Sequence, residues 1–375
     1  MTTSREGRNA QGLTPNLSER SNLQNSRTDS NILYLNRKEV ELASADIDSV
    51  AVIGDLFKLH GSSQTILPDE AYLGWTNDRD EQVRSLNMPG YVGGSLNCAG
   101  TKIINANIAN PKRGLPRASG LTLIYDQTSV RVNCIMEGAY LSSLRTASVT
   151  ALSAEIFKGR EIESVAIIGA GVLAQTHIEL LAKRLPHLRS IHIFDLSRER
   201  IADLKALVGL ELQEHGIEFQ ESSTAKEAVE AAQLIVPVTT TTTGYIQFSW
   251  LQPGAILVNI SLDDALPEVV FEADKVIVDS WDLVKSDPRR LIGRMYRAGQ
   301  IIGPDEPVDD VEDGQPKRRI DGEVGEVITG NKVGREHLDD IILVNPFGMA
   351  IEDIVLAAHV YQKALELNMG VWLER

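Results

Sequence analysis

A turn of small residues in the middle of the chain has the composition of a phosphate-binding loop. Gly169, Gly171 and Ala174 form the pattern GxGxxA inside VAIIGAGVLAQTH, after a run typical of a buried strand and before an amphipathic helix. The first glycine permits a tight turn, the second lets the backbone approach a pyrophosphate, and the small third residue lets helix and strand pack closely. Since backbone N–H groups at the start of a helix bind anions, we predict that a dinucleotide contacts Gly169, Ala170, Gly171, Val172 and Leu173.

An acidic residue stands where such a dinucleotide would place its adenosine ribose. Asp195 closes the next predicted strand, SIHIFDL, about two dozen residues after Gly171, and an acid at this distance accepts hydrogen bonds from the ribose hydroxyls. A carboxylate repels a 2′-phosphate, which favours NAD over NADP, although Arg198 nearby leaves NADP open. The alternative for the whole segment is a plain strand, turn and helix without a ligand. We predict NAD as the cofactor.

A threonine-rich run follows a later predicted strand. The run VTTTTTG occupies residues 238–244, after a strand that begins at Leu234. Ligands of parallel sheets bind at the C-terminal ends of the strands, so we predict that Thr239 and Thr241 line the cofactor cleft. An extension of the strand by β-branched residues is an equally good interpretation, and both can hold.

The elements around these motifs indicate two domains. A chain of 375 residues with 43% hydrophobic content exceeds the usual size of one domain. From residue 165 onward strands and helices alternate, which is typical of a parallel sheet covered by helices. Before that, residues 121–137 predict two strands about a polar turn, and residues 141–159 predict a helix that Gly159 ends. Residues 1–30 are polar and are predicted to be a disordered tail.

Composition excludes several classes of protein. The formal charge of −15 repels nucleic acid and anionic lipid, so we expect neither as a partner. Cys98 and Cys134 are far apart and lie outside any CxxC pattern, so no disulfide or zinc framework is expected. DDVEDG, in a predicted surface loop at 303–319, matches a calcium loop poorly, and no metal is predicted. No signal peptide and no apolar run of ~18 residues is present, so we expect a soluble cytoplasmic protein.

Several further motifs, in this order, resemble the ornithine cyclodeaminase and mu-crystallin family over nearly everything from residue 31 onward. They are MPGYVGG, GTKIINANIANP, SLRTASVTALSAE, VAIIGAGVLAQTH, NISLDD and NPFGMAIEDI. Within the family, LYLNR, ADKVIVDSW and GREHLDDIILVNPFGMAIEDI are most similar to the dehydrogenases of 2,3-diaminopropionate biosynthesis. SLDDALP stands in place of the GGDCPGK-like segment of the cyclodeaminases, which argues against simple cyclisation of ornithine.

The resemblance implies an α/β protein with two domains. One is a Rossmann domain, a doubly wound parallel sheet at residues 146–341, which binds NAD. The other is a discontinuous α+β domain for substrate binding and dimerisation, at residues 31–145 and 342–375. It also implies a homodimer that oxidises a small amino-acid substrate, in which a hydride leaves a carbon bearing an amine nitrogen and water attacks the resulting imine.

The resemblance also implies the substrate-binding side chains. Arg145 in SLRTAS matches the arginine that binds the substrate carboxylate, and Lys102 in GTKIINAN matches the substrate lysine. For an arbitrary cation a solvated surface position is the better interpretation, but the motif positions reverse this. Arg84 is a third and weaker candidate, for a second carboxylate; the arginine that relatives carry farther upstream would fall near Gly74 or Trp75.

Asp264 in NISLDD matches the family's catalytic aspartate when the sequences are aligned at Asn259, and it would exchange a proton with the attacking water. An alignment from Gly254 selects Asp263 instead, so both remain open, and one of the two would then only cap a turn. Gly348 and Met349 are expected to approach the nicotinamide. Glu352 and Asp353 fit a first helical turn, where the helix dipole favours acids, and we predict no catalytic role for them.

The reaction that this resemblance favours is the NAD-dependent oxidation of N-(1-amino-1-carboxy-2-ethyl)-L-glutamate. Hydrolysis of the imine would give 2,3-diaminopropionate and 2-oxoglutarate, a supply of siderophore or antibiotic precursor. A cyclodeaminase of ornithine or lysine and an imine reductase are the alternative enzymes. A non-catalytic NAD(P)-binding protein of the mu-crystallin type is the alternative from another class.

Overall fold

The computed structural model describes residues 30–307 and 317–375. The predicted tail therefore lies outside the described residues except for Ser30, and so does the DDVEDG segment of the predicted surface loop. No helix in the described ranges is long and apolar enough to cross a membrane.

The first sheet is mixed and has eight strands. Its strands are β1 (Asn31–Leu35), β2 (Thr65–Ile66), β3 (Ala71–Thr76), β4 (Gln82–Val92), β5 (Cys98–Asn107), β6 (Ala118–Tyr125), β7 (Val132–Glu137) and β18 (Val371–Glu374). They lie in the order β18-β1-β7-β6-β5-β4-β2, with β3 paired to β4. The predicted strand pair at 121–137 is confirmed as β6 and β7. Burial alternates along β4 and β5, because one face of the sheet packs on helices and the other does not.

Helices from both ends of the chain cover the inner face of this sheet. They are α1 (Arg37–Ser44), α2 (Ser49–Gly61), α3 (Ala139–Phe157) and α11 (Ala350–Glu366). The predicted helix at 141–159 begins two residues earlier, because the Glu137 carboxylate accepts hydrogen bonds from the backbone N–H groups of Ala139 and Tyr140 at 2.8 and 3.0 Å. As expected, the C-terminal helix α11 returns to the first sheet, and β18 pairs with β1.

The second sheet is parallel and also has eight strands. These are β8 (Ser164–Ile168), β9 (Ser190–Phe194), β10 (Glu218–Glu221), β11 (Leu234–Pro237), β12 (Ile256–Val258), β13 (Lys275–Val278), β16 (Gly322–Glu323) and β17 (Ile342–Asn345). Their order is β10-β9-β8-β11-β12-β17-β13-β16. A separate pair is formed by β14 (Ile301–Ile302) and β15 (Arg318–Arg319).

Helices cover both faces of the parallel sheet. They are α4 (Val172–Arg184), α5 (Arg198–Glu214), α6 (Ala225–Glu230), α7 (Pro267–Glu272), α8 (Trp281–Ser286), α9 (Leu291–Arg297) and α10 (Val324–Thr329). Alternate residues of β8 enter two different cores: Val165 and Ile167 pack in one, Ala166 and Ile168 in the other. The expected α/β class, a Rossmann-type doubly wound sheet joined to an α+β domain, is confirmed.

The strand β17 belongs to a different sheet from the one that the predicted boundary at residue 342 implies. That boundary assigns β17 to the first domain, but the strand pairs in parallel with β12 and β13, inside the second sheet. Its apolar residues, Ile342–Val344, are buried on both faces, which is what a central parallel strand requires. The chain therefore returns to the first domain only after Asn345.

Candidate active site

The glycine turn joins β8 to α4 at the C-terminal edge of the parallel sheet. Gly169 has φ +104°, and an added Cβ would lie 3.0 Å from the carbonyl oxygen of Val238, so this position requires glycine for the fold itself. Gly171 is the residue before α4, with φ −99° and ψ −168°, and an added Cβ there would contact nothing within 4 Å. The turn therefore presents bare backbone and the N-terminus of a helix to open space, which fits the pyrophosphate of a dinucleotide.

Asp195 lies directly beside this turn. Its Oδ2 accepts a hydrogen bond from the backbone N–H of Ala170 at 2.8 Å, and its Oδ1 accepts one from the N–H of Ser197 at 2.8 Å. The side chain of Arg198 is 88% exposed and is 3.8 Å from Glu221. The Asp195 carboxylate thus connects the glycine turn to the loop after β9. Its contact with the ribose hydroxyls stays a prediction.

Asp264 lies in the loop that follows β12 and faces the threonine run. Its Oδ1 accepts hydrogen bonds from Thr239 Oγ1 at 2.7 Å and from the Tyr245 hydroxyl at 2.9 Å. Its Oδ2 is buried and has no hydrogen-bond partner among the described residues. Burial raises the pKa of the Asp264 carboxyl, and the hydrogen bonds from Thr239, Tyr245 and Ser261 oppose that shift. One oxygen of the carboxylate is thus held in place by two hydroxyl groups, and the other is left without a partner in the described part of the chain.

Asp263, the alternative, has a different environment. Its Oδ2 is 3.1 Å from Arg290 NH1 and its Oδ1 is 3.0 Å from Arg294 NH2, so both oxygens are in ion pairs. Leu262 has φ +74°, a left-handed conformation that is unusual for a bulky residue. The loop directs the two neighbouring carboxylates to different partners. The geometry favours Asp264 as the proton acceptor, although this role stays a prediction.

Lys102 and Arg145 reach one cluster of charges from different elements. Lys102 Nζ, on β5, donates to Ser142 Oγ at 2.8 Å and to Asp353 Oδ2 at 2.9 Å. Arg145, on α3, donates from NH1 to Glu352 Oε2 at 2.8 Å, and its Nε is 3.4 Å from Asp353 Oδ2. Burial lowers the pKa of Lys102, and the charge of Asp353 opposes this shift. The two cations therefore enter the interior together with two carboxylates.

The sequence did not indicate that Glu352 and Asp353 are the partners of these two cations. Glu352 and Asp353 do lie in the first turn of α11, as predicted, but both are fully buried. Burial raises the pKa of Glu352 to about 7, and the charge of Arg145 opposes it. Two adjacent acids at a helix start carry no sequence signal that tells a buried ion-pair partner from a solvated group.

Glu70, just before β3, was also missed. Burial raises the pKa of its carboxyl to about 7, and the charges of Lys102, Arg145 and Arg289 oppose this shift. Its Oε1 is buried without a hydrogen-bond partner in the described part of the chain. Glu70 therefore lies beside the same cations and can hold a proton near neutral pH.

The unpartnered buried polar atoms concentrate in this region. In the described ranges they are Glu70 Oε1, Thr122 Oγ1, Arg145 Nε, Asn259 Oδ1, Asp264 Oδ2, Glu352 Oε1 and Asp353 Oδ1. A buried polar atom without a partner costs about 1–3 kcal/mol, so their concentration here is typical of a binding site. No group of three or more His, Cys, Asp or Glu within residues 30–307 and 317–375 is arranged to hold a metal ion.

The segment between β17 and α11 passes beside Arg145. Gly348 has φ +96°, and an added Cβ would lie 2.6 Å from Arg145 NH1. Its N–H donates to Asp279 Oδ2 at 2.6 Å, while Met349 is fully buried at the start of the helix. Gly348 thus leaves room for the guanidinium, and the expected approach of Gly348 and Met349 to the nicotinamide stays a prediction.

Arg84 lies on β4, four residues before Met88, which is the register partner of Lys102. Side chains separated by an even number of residues share one face of a strand, so Arg84 and Met88 point to the inner face together with Lys102. Burial lowers the pKa of Arg84, and the charges of Arg290 and Arg117 add to this shift. The weaker candidate therefore lies on the same side of the sheet as the buried lysine.

A parallel sheet with a glycine turn after β8, facing charged side chains of a second sheet, defines a two-domain dinucleotide-binding protein of the dehydrogenase type. The chain belongs to the ornithine cyclodeaminase/mu-crystallin family, whose model matches residues 76–368. It is 31% identical over 346 residues to the N-((2S)-2-amino-2-carboxyethyl)-L-glutamate dehydrogenase of Staphylococcus aureus, covering 91% of this chain and 98% of that protein.

Two solved structures have the same fold over most of their length. The crystal structure of CmnK is 34% identical, with a TM-score of 0.82, and the match covers 92% of this chain and 98% of that one. The Δ1-pyrroline-2-carboxylate reductase of Thermococcus litoralis, in complex with NADH and L-proline, is 22% identical, with a TM-score of 0.77 and coverage of 91% and 99%.

Proposed function

We propose that the protein oxidises N-(1-amino-1-carboxy-2-ethyl)-L-glutamate with NAD. This is the compound that the name of the staphylococcal relative gives as N-((2S)-2-amino-2-carboxyethyl)-L-glutamate. The products would be NADH, 2,3-diaminopropionate and 2-oxoglutarate. Family membership and the names of the relatives support an NAD-dependent oxidoreductase that acts on an amino-acid substrate. The similarity to the staphylococcal enzyme over nearly the whole of both chains is the observation that carries the choice of substrate.

The coenzyme supplies one part of the chemistry: bound NAD⁺ accepts a hydride. The residues that would hold it are the open backbone of residues 169–173, with Asp195 beside the ribose. The chain itself must hold the substrate carboxylate and move protons. Lys102 has one donor beyond the two it gives to Ser142 and Asp353, and Arg145 has donors beyond the one it gives to Glu352. These remaining donors would orient the substrate carboxylate through charge-assisted hydrogen bonds.

Asp264 would take a proton from the water that adds to the imine carbon and return one to the departing amine. A raised pKa suits this work, because it makes the carboxylate a stronger base than an ordinary aspartate. Thr239 and Tyr245 hold one oxygen of the carboxylate, which leaves Oδ2 as the atom that exchanges the proton.

We also propose a homodimer in which the first sheet contributes to the contact. Large apolar side chains on this sheet are exposed, with Leu73 59%, Trp75 46% and Leu121 40% exposed. Burial of such surface in a second copy is favourable. Light scattering on the purified protein would test this, and the mass of a single chain at micromolar concentration would refute it.

The function is tested by mixing the enzyme with NAD and candidate amines, following NADH absorbance and reading product masses. We expect turnover with N-(1-amino-1-carboxy-2-ethyl)-L-glutamate, and masses of 2,3-diaminopropionate and 2-oxoglutarate. Turnover of ornithine or lysine, or NADH consumption with a cyclic imine, would select the alternative enzymes. Tight NADH binding without turnover of any of these compounds would favour the non-catalytic alternative.

A further inference from the structure

We propose that Arg84 and Arg117, positioned beside Arg289 and Arg290, form a second carboxylate-binding subsite that selects dicarboxylic substrates. The inference rests on the proposed function and names the substrate class for the same cleft. Arg145 and Lys102 would hold one carboxylate, and the arginine cluster would hold the carboxylate at the far end of the molecule.

The four arginines come from three separate parts of the chain. Arg84 on β4 is the register partner of Ala106 on β5, which in turn pairs with Ala118 of β6. Arg117 directly precedes Ala118, and its carbonyl accepts the N–H of Asn107 at 2.9 Å. Arg117 lies just outside the regular part of β6, and its charge lowers the pKa of Arg84, so the two guanidinium groups lie near each other at this end of the sheet.

Tyr72 connects this part of the sheet to the loop before α9. The guanidinium of Arg289 lies 4.3 Å from the centroid of the Tyr72 ring. A Cβ added to Gly74 would come within 2.8 Å of the same ring, and Gly74 is the register partner of Arg84 on β3. The Tyr72 ring thus lies over the position next to Arg84, with Arg289 stacked on it.

The arginines differ in what they already bind. Arg289 donates from Nε and NH2 to Asp287 at 2.7 Å each, and Arg290 is paired with Asp263 at 3.1 Å. Arg84 and Arg117 have no side-chain hydrogen bond or ion pair with any residue that the structure describes. Burial lowers the pKa of both groups.

Two partly buried guanidinium groups without partners favour an anion. Like charges close together repel each other, and burial makes the unpaired charge more costly. A carboxylate placed between them would relieve both effects, and the planar guanidinium forms paired hydrogen bonds with it. In a chain with a net charge of −15, a cluster of four arginines, two of them without a partner in the described part of the chain, is not explained by composition.

The subsite lies at a suitable distance from the reaction. Arg84 is four residues from the register partner of Lys102, which corresponds to about 13 Å along a strand at ~3.3 Å per residue. Lys102 and Arg84 have long side chains on the same face, so both can reach a short ligand that lies between them and carries a carboxylate at each end. Arg290 binds Asp263, the neighbour of Asp264, which places the cluster beside the proposed acid/base group.

The test compares two ligands that differ by one carboxylate. 2-Oxoglutarate and 2-oxopentanoate are titrated calorimetrically into the full-length protein, with and without saturating NADH. The variants are R84M, R117M and, as a control, R189M, whose side chain is 75% exposed at the opposite edge of the parallel sheet. We expect the wild type and R189M to bind 2-oxoglutarate at least about tenfold more tightly, the effect of one charge-assisted hydrogen bond.

R84M and R117M should lose this preference while they bind 2-oxopentanoate unchanged. Equal binding of the two acids by the wild type would overturn the subsite, as would variants that weaken both acids alike. If R84M does not fold, R84K serves in its place, and an intermediate preference is expected because the charge remains while the planar fork is lost. A preference for 2-oxoglutarate without oxidation of the proposed amine would leave the subsite standing and refute the proposed function.

Discussion

Replacement of Gly171 by alanine separates the coenzyme contact from the fold. The backbone angles of Gly171, φ −99° and ψ −168°, suit any residue, and the added Cβ would contact nothing within 4 Å. The reduced freedom of the unfolded chain should add about 0.4–1 kcal/mol, which should roughly offset the lower preference for alanine at the N-cap of α4, so the stability should change little. The methyl group would, however, occupy the space that a pyrophosphate approaches.

The expected loss of affinity follows from one displaced hydrogen bond. A charge-assisted hydrogen bond between a backbone N–H and a phosphate oxygen contributes about 1.5–3 kcal/mol, so NADH should bind roughly 10–100-fold more weakly to G171A. NADH fluorescence titration measures this, and urea unfolding measures the stability of the same sample.

Two other glycines provide the contrasts. G169A should be destabilised, because φ +104° and a Cβ at 3.0 Å from the Val238 carbonyl oxygen strain the backbone. G209A, inside α5 with no atom within 4 Å of the new Cβ, should gain up to about 1 kcal/mol and bind NADH normally. Unchanged NADH affinity in a folded G171A protein would show that the turn does not hold the pyrophosphate.

Three further outcomes are expected. D264N should bind NADH as the wild type does but turn over about a hundredfold more slowly or worse; normal turnover would remove Asp264 from the mechanism. K102M should lose up to about 3–5 kcal/mol of unfolding free energy, because it leaves the buried Asp353 with only its longer ion pair to Arg145, and K102M/D353L should recover much of it in urea unfolding. Burial lowers the pKa of His177 from 6.5 to about 4, so its contribution to stability, up to about 3 kcal/mol, is present above pH 6.5 and lost as the pH falls toward 4. H177Q should show a shallower loss of stability over that range, and an identical pH profile would exclude His177 as the cause.

The local elements were predictable because they depend on neighbouring residues. The alternation of apolar strands and amphipathic helices after residue 165 and the glycine turn at 169–171 both carry short-range signals. The sheet to which β17 belongs could not be predicted, because four apolar residues are compatible with either sheet. Only its pairing with β12 and β13 shows that.

The site was predictable only in part. The positions of Lys102, Arg145 and Asp264 followed from motifs. The partners of these residues could not be predicted. Tyr245, which donates to Asp264, lies in a segment without a motif. Asp353, which accepts from Lys102, lies far from it in sequence. Contacts of this kind depend on how the two sheets are arranged, and that arrangement cannot be derived from a single sequence.

The pairing of Lys102 with Asp353 also affects how the protein can be made in a cell. The two residues are 251 positions apart. At the usual ~5–20 residues per second of ribosomal synthesis, Asp353 is added to the chain tens of seconds after Lys102. During that time the half-built first sheet also lacks β18 at the edge of β1. A nascent chain that stalls before α11 would have an unneutralised lysine and an open strand edge at β1, and an open edge can pair with another chain.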